Sequence, residues 1–372
     1  MKILISGGHL TPALAFIDFV KTQKNVEMVF VGRIYSQERS KQRSHESEEV
    51  LKRDIKFIPF RSGKLLPSFS IFALKELGML IKGFFHACLI IRSEKPSLVM
   101  TFGGYLAVPL AISAWLHRIP VVLHEQTSVV GISNSLIGKI ATLVAVSYPH
   151  VEKSFAGRDV VVTGNLLRNQ LLDDKVKRPA WLSATSTKPI LYITGGNQGS
   201  EVINTTVLQL LPQITRDWLV VHQCGTVSEQ SDYQKILKDE SRKLSVAARE
   251  RYAVREWINE KELAWIYQNC TAAISRSGAN TTYEFLFFAI PSILIPLPFS
   301  PRQEQQKNAE FLAKMGGAVL LTQKELSAQS LRAALSDLQK NVRRYKNKLR
   351  KNTPEAGGAK RLWQALLKRG LV

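Results

Sequence analysis

Short runs of Val, Ile and Leu alternate along the first half of the chain with longer stretches in which apolar residues recur at helical spacing. Strands buried in a parallel sheet produce the first pattern, and helices that cover such a sheet produce the second. The alternation predicts an α/β protein with doubly wound parallel sheets. The predicted strands are residues 2–6, 26–31, 98–102, 121–124 and 143–147, and the predicted helices are residues 14–22, 71–91 and 108–117.

The same alternation begins again in the second half. Each half opens with an apolar strand, a small residue and a glycine pair, which is Gly7-Gly8 in the first and Gly195-Gly196 in the second. We therefore predict two doubly wound domains in tandem, residues 1–163 and 164–340, and a basic amphipathic helical segment, residues 341–372, that docks on the body. The second set of strands is predicted at residues 189–193, 218–222, 253–256, 272–275 and 292–296, with helices at residues 202–211, 260–267, 281–289 and 305–315.

Charge narrows the choice of partners. The 372 residues carry 51 Lys and Arg against 30 Asp and Glu, a net charge of +21. Ten of these basic residues and a single acid, Glu355, lie in residues 341–372. Such an excess favours an anionic partner, which could be nucleic acid, an acidic membrane or a phosphorylated substrate. The sequence has no zinc-finger, RRM or helix-turn-helix pattern, so we expect no nucleic acid.

Three further features bear on the compartment. Cys88, Cys224 and Cys270 fit neither a zinc site nor a disulfide framework, which favours a reducing cytosol. Residues 1–6 predict a strand rather than a signal peptide. Charged residues interrupt the longest apolar stretch, residues 65–91, so we expect no membrane-spanning helix.

Glycine pairs follow three of the predicted strands, where the chain turns towards a helix. Glycine lets the backbone turn sharply and approach a ligand, and the N–H groups at the start of the next helix attract a phosphate. Gly7-Gly8 and Gly195-Gly196 do not match the G-x-G-x-x-G fingerprint, which disfavours a dehydrogenase. Each could also be an ordinary tight turn. The third pair is Gly103-Gly104.

Two histidines lie near the predicted carboxyl ends of strands. His9 precedes a helix start marked by Thr11-Pro12, where the helix dipole disfavours imidazolium and leaves a neutral imidazole that can act as general base. His124-Glu125-Gln126 occupies the sheet edge at which α/β proteins bind ligands. His9 could instead cap or pack, and Glu125 could orient a neighbour rather than take part in catalysis.

The richest polar stretch lies in the second half. Residues 275–281 form a small polar turn between a strand and a helix, which again has the character of an anion cradle. Glu284 follows this turn and could accept hydrogen bonds from a ribose diol, or could serve only the helix as part of a capping box. Gln305 lies among amides that suit sugar hydroxyls, although a solvated helix start has the same composition.

Taken together, these stretches resemble the MurG family, the bacterial lipid-linked N-acetylglucosaminyltransferases of peptidoglycan synthesis. Each motif is short, but all occur in the family's order from Ile3 to about Ala318. They are Gly7-Gly8-His9 with Pro12-Ala13-Leu14-Ala15, Phe102-Gly103-Gly104-Tyr105, Pro120 with His124-Glu125-Gln126, Gly164-Asn165 with Arg168, Gly195-Gly196-Asn197-Gln198-Gly199, Arg276-Ser277-Gly278-Ala279, Glu284, and Gln305 with Asn308-Ala309.

The resemblance implies the GT-B fold, with two Rossmann-like domains facing across a cleft and a C-terminal helix that crosses back onto the first. It also implies inverting transfer of N-acetylglucosamine from UDP-N-acetylglucosamine to the 4-hydroxyl of the muramyl sugar of undecaprenyl-pyrophosphoryl-MurNAc-pentapeptide. The second domain would bind the UDP-sugar, and the first domain would bind this lipid acceptor. The reaction would convert lipid I to lipid II at the cytoplasmic face of the membrane, with peripheral attachment and without a metal ion or other cofactor.

Site residues follow from the resemblance position by position. The catalytic candidates are His9, as general base, with His124 and Glu125. The substrate-binding candidates in the first half are Gly7, Gly8, Thr11, Tyr105 and Gln126. In the second part of the chain they are Arg168, Asn197, Gln198 and Gly199 for the donor's diphosphate, Ile258 for the uracil, Ser277, Gly278 and Thr281 in the polar turn, Glu284 for the ribose and Gln305 for the sugar hydroxyls.

The sequence also departs from the family. The first loop of the family usually reads Gly-Gly-Thr-Gly-Gly-His, and Gly7-Gly8-His9 is three residues shorter. That loop is expected to touch the acceptor's diphosphate, so the departure concerns acceptor geometry. Thr127, Asn197 and Asn280 also replace the family's usual residues. A divergent homologue that acts on a modified acceptor would explain these changes.

An apolar and basic stretch gives part of the charge a location. Residues 55–75 contain no acid. An apolar surface ringed by lysines can lie in the headgroup zone of an anionic membrane, although a core helix with exposed lysines would show the same pattern. The basic residues are Lys56, Arg61, Lys64 and Lys75, and the apolar ones are Phe69, Ile71, Phe72, Leu74, Leu77, Leu80, Ile81, Phe84 and Phe85.

Other functions remain open at this point. A related UDP-sugar transferase could act on another lipid, and a UDP-N-acetylglucosamine epimerase could share the fold, although it would not need a membrane-facing apolar stretch. A non-catalytic protein that binds an anionic ligand is supported by charge alone.

Overall fold

The computed structural model describes residues 1–35, 44–63, 71–196, 198–226 and 232–372. The chain divides into two compact units, which we call the first and the second unit. The first comprises Met1–Asn169 and Ala356–Val372, and the second comprises Gln170–Glu355. The division lies beyond the predicted boundary at residue 163, because Leu166 still packs in the core of the first unit, whereas Leu171 packs in that of the second.

The first unit is built on a parallel sheet of seven strands in the order β3-β2-β1-β4-β5-β6-β7. The central strands are apolar and buried, as expected for a sheet with both faces covered. The strands are β1 (Lys2–Ser6), β2 (Glu27–Gly32), β3 (Lys56–Pro59), β4 (Leu98–Thr101), β5 (Val121–Glu125), β6 (Leu143–Val146) and β7 (Val160–Val162). The helices between them are α1 (Leu10–Val20), α2 (His45–Leu51), α3 (Ile71–Glu94), α4 (Ala107–Leu116) and α5 (Ile132–Gly138).

The second unit contains a parallel sheet of six strands in the order β10-β9-β8-β11-β12-β13. Its strands are β8 (Ile190–Thr194), β9 (Leu219–Gln223), β10 (Tyr252–Arg255), β11 (Ala272–Ser275), β12 (Ser292–Leu294) and β13 (Ala318–Leu320). Its helices are α6 (Glu201–Asp217), α7 (Tyr233–Ser241), α8 (Val246–Glu250), α9 (Glu260–Asn269), α10 (Ala279–Phe287), α11 (Glu304–Lys314), α12 (Ala328–Lys340) and α13 (Val342–Arg350).

The predicted basic segment, residues 341–372, is shared between the units. α13 belongs to the second unit, where Leu349 is fully buried in the core. The last helix, α14 (Gly358–Lys368), packs on the first unit and buries Leu362 and Leu366 in its core. The Arg361 guanidinium donates to the Thr163 carbonyl oxygen over 2.8 Å. The amphipathic pattern of the tail therefore contains two helices with different partners.

Each predicted strand lies within two residues of an observed one. The structure adds β3, β7 and β13, which the apolar pattern missed because they are short or carry partly exposed positions. The predicted helix at residues 202–211 stops before Pro212, whereas α6 continues to Asp217 because Ile214 is buried in the core beyond the proline. No helix in the described part of the chain is long and apolar enough to cross a membrane.

Candidate active-site residues in the two units

Both sheets reverse their strand order at one point, and the predicted glycine motifs lie there. In the first sheet the reversal falls between β1 and β4, which precede Gly7-Gly8 and Gly103-Gly104. In the second it falls between β8 and β11, which precede Gly195-Gly196 and the turn around Gly278. Open α/β sheets bind ligands outside the carboxyl ends of strands at such switch points. Each unit therefore brings its predicted motifs to the expected edge.

The two glycine turns of the first unit touch each other directly. A Cβ atom on Gly8 would lie 2.1 Å from the carbonyl oxygen of Gly103, so this position requires glycine. Gly8 and Gly103 both have positive φ, at 145° and 86°. A Cβ atom on Gly103 would meet the Asn134 side chain at 2.4 Å. The turn after β1 is thus packed tightly against the turn after β4.

Sequence reasoning missed one residue of this edge, Glu46. Its Oε1 accepts a hydrogen bond from the Gly8 N–H over 3.1 Å, and its Oε2 accepts one from the Arg33 N–H over 2.8 Å. Burial raises the pKa of the carboxyl, while the two hydrogen bonds and the positive charge of Arg33 oppose that shift. A carboxylate of the chain itself therefore occupies a donor of the turn that the resemblance assigned to the acceptor's diphosphate.

His9 and His124 lie close enough to interact electrostatically. Burial lowers the pKa of each to about 4, and repulsion from His9 also lowers that of His124. Both imidazoles are therefore neutral at neutral pH. His9 is the residue before α1 and its side chain makes no capping hydrogen bond, so the alternative role of a helix cap does not apply.

The ring orientation of His124 follows from its contacts. Nε2 lies 3.2 Å from the Gly164 carbonyl oxygen, and the ring packs against Phe102. Because a carbonyl oxygen only accepts, Nε2 carries the proton and Nδ1 keeps its lone pair. Nδ1 has no hydrogen-bond partner among the described residues.

Glu125 is fully buried, and its carboxylate holds the loop that follows β5. Oε1 accepts hydrogen bonds from the backbone N–H and the hydroxyl of Thr127, over 2.9 and 2.7 Å. Oε2 accepts from the Asn134 amide over 2.8 Å and from the Gly131 N–H over 3.3 Å. Burial raises the pKa of Glu125 against these hydrogen bonds. These contacts favour the orienting role over proton transfer.

The remaining candidates of the first unit have varied surroundings. Gln126 is fully buried, and neither polar atom of its amide finds a hydrogen-bond partner among the described residues. Tyr105 is half-buried with its hydroxyl hydrogen-bonded to Arg33, and burial raises its pKa.

Thr11 lies in the first turn of α1. Arg168, predicted to approach the donor's diphosphate, belongs to the first unit, whereas Gln198 and Gly199 belong to the second.

In the second unit, two loops cross at a pair of glycines. A Cβ atom on Gly199 would lie 2.1 Å from the Cys224 carbonyl oxygen, and one on Gly225 would lie 2.2 Å from the Gly199 Cα. Both glycines have positive φ. Gly225 was not predicted, since it follows β9 without a second glycine. Gln198 is exposed beside this crossing, and Asn197 lies outside the described residues.

A series of buried hydrogen bonds holds the Cys224 carbonyl group at this crossing in place. The Asn204 amide donates to the Cys224 carbonyl oxygen over 3.0 Å, and its oxygen accepts from His222 Nε2 over 3.0 Å. His222 Nδ1 accepts from the Tyr252 hydroxyl over 2.9 Å. Burial lowers the pKa of His222 to about 3, so the ring is neutral and both hydrogen bonds are satisfied. These hydrogen bonds therefore fix the Cys224 carbonyl oxygen, which is the atom packed against Gly199.

The polar turn after β11 is tied to α11. The Ser277 hydroxyl donates to the Gln305 carbonyl oxygen over 2.7 Å, and the Asn308 amide donates to the Ser277 carbonyl oxygen over 3.1 Å. Gln305 in turn accepts from the Leu297 N–H over 3.0 Å through its side-chain oxygen. Gly278 precedes α10 and Thr281 lies in its first turn. The turn and Gln305 are therefore neighbours, as a diphosphate and its sugar would require.

Glu284 is buried in α10, and its Oε2 accepts a hydrogen bond from the Tyr267 hydroxyl over 2.9 Å. A capping-box glutamate would stand at the third residue of the helix, where this chain has Thr281, so Glu284 does not form a capping box. Tyr267 was not predicted and packs edge-on against Phe285. Ile258 is buried just after β10, and the neighbouring Trp257 is 40% exposed.

An exposed apolar stripe runs along α3. Leu77, Ile81, Phe85 and Leu89 recur every fourth residue, and Phe85 and Leu89 are 63% and 65% exposed. α3 packs against α4, where Trp115 and Leu116 are also exposed, and sequence reasoning missed these two residues and Leu89. We call these six residues the apolar stripe. Of the residues predicted for a membrane surface, Leu80 and Phe84 are partly buried, and Lys56 is paired with Glu94 over 2.7 Å.

Part of that prediction falls outside the residues that the structure describes. Lys64 and Phe69 lie outside the described residues, as do the side chains of Ile71, Phe72, Leu74 and Lys75. Among the residues that the structure describes, no three His, Cys, Asp or Glu side chains are grouped as metal ligands.

The two parallel α/β units, each with glycine turns at its switch point, define the GT-B class of nucleotide-sugar enzymes. A solved structure of Acinetobacter baumannii MurG has the same fold, with a TM-score of 0.70, 22% identity and coverage of 99% of both chains. The UDP-GlcNAc 2-epimerase of Neisseria meningitidis, bound to UDP-GlcNAc, also has it, with a TM-score of 0.64, 12% identity and coverage of 99% of this chain and 100% of that one. Similarity of fold alone therefore does not distinguish a transferase from an epimerase.

Sequence comparison relates this chain to the transferases. The models of the glycosyltransferase family 28 N-terminal and C-terminal domains match residues 6–146 and 190–362. A UDP-N-acetylglucosamine–N-acetylmuramyl-(pentapeptide) pyrophosphoryl-undecaprenol N-acetylglucosamine transferase of Clostridium botulinum is 33% identical over 362 residues, 96% of each chain. A Bacillus anthracis transferase of the same name, numbered 2, is 32% identical over 93% of this chain and 92% of that protein. The chain therefore belongs to this transferase family, the MurG family.

Proposed function

We propose that this chain transfers N-acetylglucosamine from UDP-N-acetylglucosamine to the 4-hydroxyl of the muramyl sugar of undecaprenyl-pyrophosphoryl-MurNAc-pentapeptide, with inversion, and so makes lipid II from lipid I in peptidoglycan synthesis. The observation that carries the proposal is the 33% identity over 96% of both chains to a transferase named for these substrates. The position of the predicted motifs at both switch points supports it.

The first unit supplies the base in this proposal. The acceptor's 4-hydroxyl attacks the anomeric carbon, a new C–O bond forms, the bond to the UDP oxygen breaks, and the hydroxyl proton passes to the imidazole of His9. The low pKa of His9 keeps its ring neutral and so able to take that proton. His124 lies beside it, and Glu125 fixes the loop that carries Gln126. Tyr105 and Gln126 are the remaining acceptor-side candidates.

The second unit holds the donor in this proposal. Glu284, oriented by Tyr267, accepts hydrogen bonds from the ribose hydroxyls. The diphosphate meets backbone N–H groups at Ser277, Gly278 and the start of α10, with Thr281 beside them, where negative charge that develops on the leaving UDP is stabilised. Gln198 and Gly199 approach the same diphosphate, Gln305 contacts the sugar hydroxyls, and Ile258 presents backbone to the uracil.

We further propose that the protein attaches peripherally to the cytoplasmic face of the membrane through the apolar stripe. Large apolar side chains that stay exposed at helical spacing are typical of a surface that meets another apolar phase. Lys82 is exposed within the stripe, and Arg92 is exposed at the end of α3. Basic residues beside an apolar surface favour anionic lipid.

Incubation of the purified chain with radiolabelled UDP-N-acetylglucosamine and lipid I tests the reaction. We expect a labelled disaccharide lipid and an equal amount of released UDP. Label that remains as free sugar, or a UDP-sugar epimerised at C2 with lipid I unchanged, would contradict the proposal. A parallel reaction with an undecaprenyl-linked monosaccharide other than MurNAc-pentapeptide controls for acceptor identity.

A further inference from the structure

We propose that Glu46 is the positioning residue for His9, and that the Gly7-Gly8 turn holds this carboxylate rather than a phosphate of the acceptor. The inference rests on the proposed function, since it gives His9 its role there. It changes the role expected for the turn, from a phosphate cradle to the support of the base.

The first support is the set of hydrogen bonds that Glu46 accepts. The carboxylate reaches from α2 to the Gly8 N–H, 3.1 Å from Oε1, and to the Arg33 N–H, 2.8 Å from Oε2. One side chain thus joins the turn after β1 to the chain after β2. Because Gly8 directly precedes His9, this link sets the backbone from which the imidazole projects.

The second support is the space that the chain leaves for this side chain. A Cβ atom on Gly7 would lie 2.6 Å from Glu46 Oε1, and one on Gly32 would lie 2.5 Å from Oε2. Gly7, directly after β1, and Gly32, the last residue of β2, therefore both leave room for one carboxylate. An exposed glutamate that met the turn by chance would not need both.

The third support is charge. A phosphate that docked on the Gly8 N–H would need the donor that Glu46 already uses, and it would meet a like charge there. Neighbouring like charges at close range are unfavourable, and more so where water is partly excluded. The acceptor's diphosphate is therefore held by other groups, and the turn stays closed on Glu46 during the reaction.

Removal of the carboxylate tests this role. In Glu46→Ala we expect kcat for lipid II formation to fall at least tenfold, with the KM for UDP-N-acetylglucosamine within twofold of wild type, because the donor binds in the other unit. Glu46→Gln keeps one acceptor oxygen and is expected to recover part of the loss. Glu48→Ala is the matched control, since Glu48 lies on the same helix and is exposed.

Amide hydrogen exchange gives a readout that does not need turnover. Exchange in the peptide around Gly8 is expected to quicken in Glu46→Ala but not in Glu48→Ala. Inorganic pyrophosphate is expected to leave this exchange unchanged in the wild type and to slow it in Glu46→Ala, where the Gly8 N–H has become free.

Three results would overturn the inference. They are kcat within twofold of wild type in Glu46→Ala, a lower KM for lipid I with kcat unchanged, and protection of the wild-type turn by pyrophosphate. If the wild-type protein makes no labelled lipid II, the proposed function fails instead, and the exchange experiment still decides whether Glu46 holds the turn. If Glu46→Ala does not fold, Glu46→Gln carries the same comparison.

Discussion

At the scale of single residues, the proposed chemistry depends on imidazoles that stay neutral. Burial lowers the pKa of His9 and His124 to about 4, far below the ordinary value for histidine. A neutral ring can accept a proton from an acceptor hydroxyl throughout the physiological range. Glu125, by contrast, accepts three hydrogen bonds from the loop after β5 and one from Asn134 on α5.

Replacement of the proposed base tests this division of roles. We expect His9→Ala to lower kcat by about 10²- to 10⁴-fold, the range typical of a lost general base. UDP binding, measured by calorimetry, should stay within twofold of wild type because the residues proposed to bind the ribose and the uracil lie in the second unit. His150→Ala, at an exposed site of the first unit, is the control. Wild-type turnover in His9→Ala would remove it from the mechanism.

The hydroxyl of Tyr267 provides a second residue-scale test. Tyr267→Phe removes the hydrogen bond to Glu284 and keeps the ring packing, so the carboxylate loses its orientation. A hydrogen bond to a charged group contributes about 1.5–3 kcal/mol, and we expect the KM for the donor to rise by roughly tenfold. Glu284→Ala should raise it further. Tyr192→Phe, which removes a hydroxyl that donates to Gln223, is the control; an unchanged donor KM in Tyr267→Phe would count against the ribose site.

At the scale of elements, the pattern of apolar positions predicts a helix well but does not say what covers it. The stretch that predicts α3 contains both buried and exposed apolar residues. Ala87, Ile90 and Ile91 face the core, whereas Phe85 and Leu89 remain exposed. Likewise, the amphipathic tail predicts helices, but tertiary packing assigns α13 and α14 to different units.

The exposed face of α3 leads to a membrane-binding prediction. Phe85→Ser with Leu89→Ser should reduce sedimentation with vesicles that contain anionic phospholipid, because both residues would otherwise bury apolar surface in the lipid. Lys82→Glu should weaken binding at low salt and have less effect at high salt. Val246→Ser, at an equally exposed residue of the second unit, is the control. Binding that none of these changes affects would exclude the stripe as the attachment surface.

At the scale of the whole molecule, the net charge of +21 is distributed over both units. In the proposed function, two diphosphate-bearing substrates and an anionic membrane surface would account for its sign. Not every basic side chain is available to an anionic partner, because Lys56 is paired with Glu94 and Arg369 with Asp159. Burial of titratable groups also makes the stability of the molecule depend on pH.

Protonation of His222 in the unfolded chain should make the protein less stable at low pH. His222 has a pKa of about 3 when folded and is expected near 6.5 when unfolded, so the unfolded chain binds the extra proton as the pH falls below 6.5. The free energy of unfolding should therefore decrease, by about 2 kcal/mol from pH 7 to pH 5 for this group. His222→Gln should reduce the slope in urea-unfolding experiments. The same slope in wild type and variant would show that His222 titrates normally.

The sequence by itself determined the α/β class, the two sheets, ten of the thirteen described strands and the glycine turns at the carboxyl ends of the central ones. These depend on local features, which are apolar runs, helical spacing and the conformational freedom of glycine. Only the tertiary structure decided how Glu46, Tyr267 and Gly225 contribute, because each acts on a residue distant in the chain. It also decided that the apolar stripe is exposed and that the tail is shared between two units, since burial depends on which elements pack together and not on the pattern of any one of them.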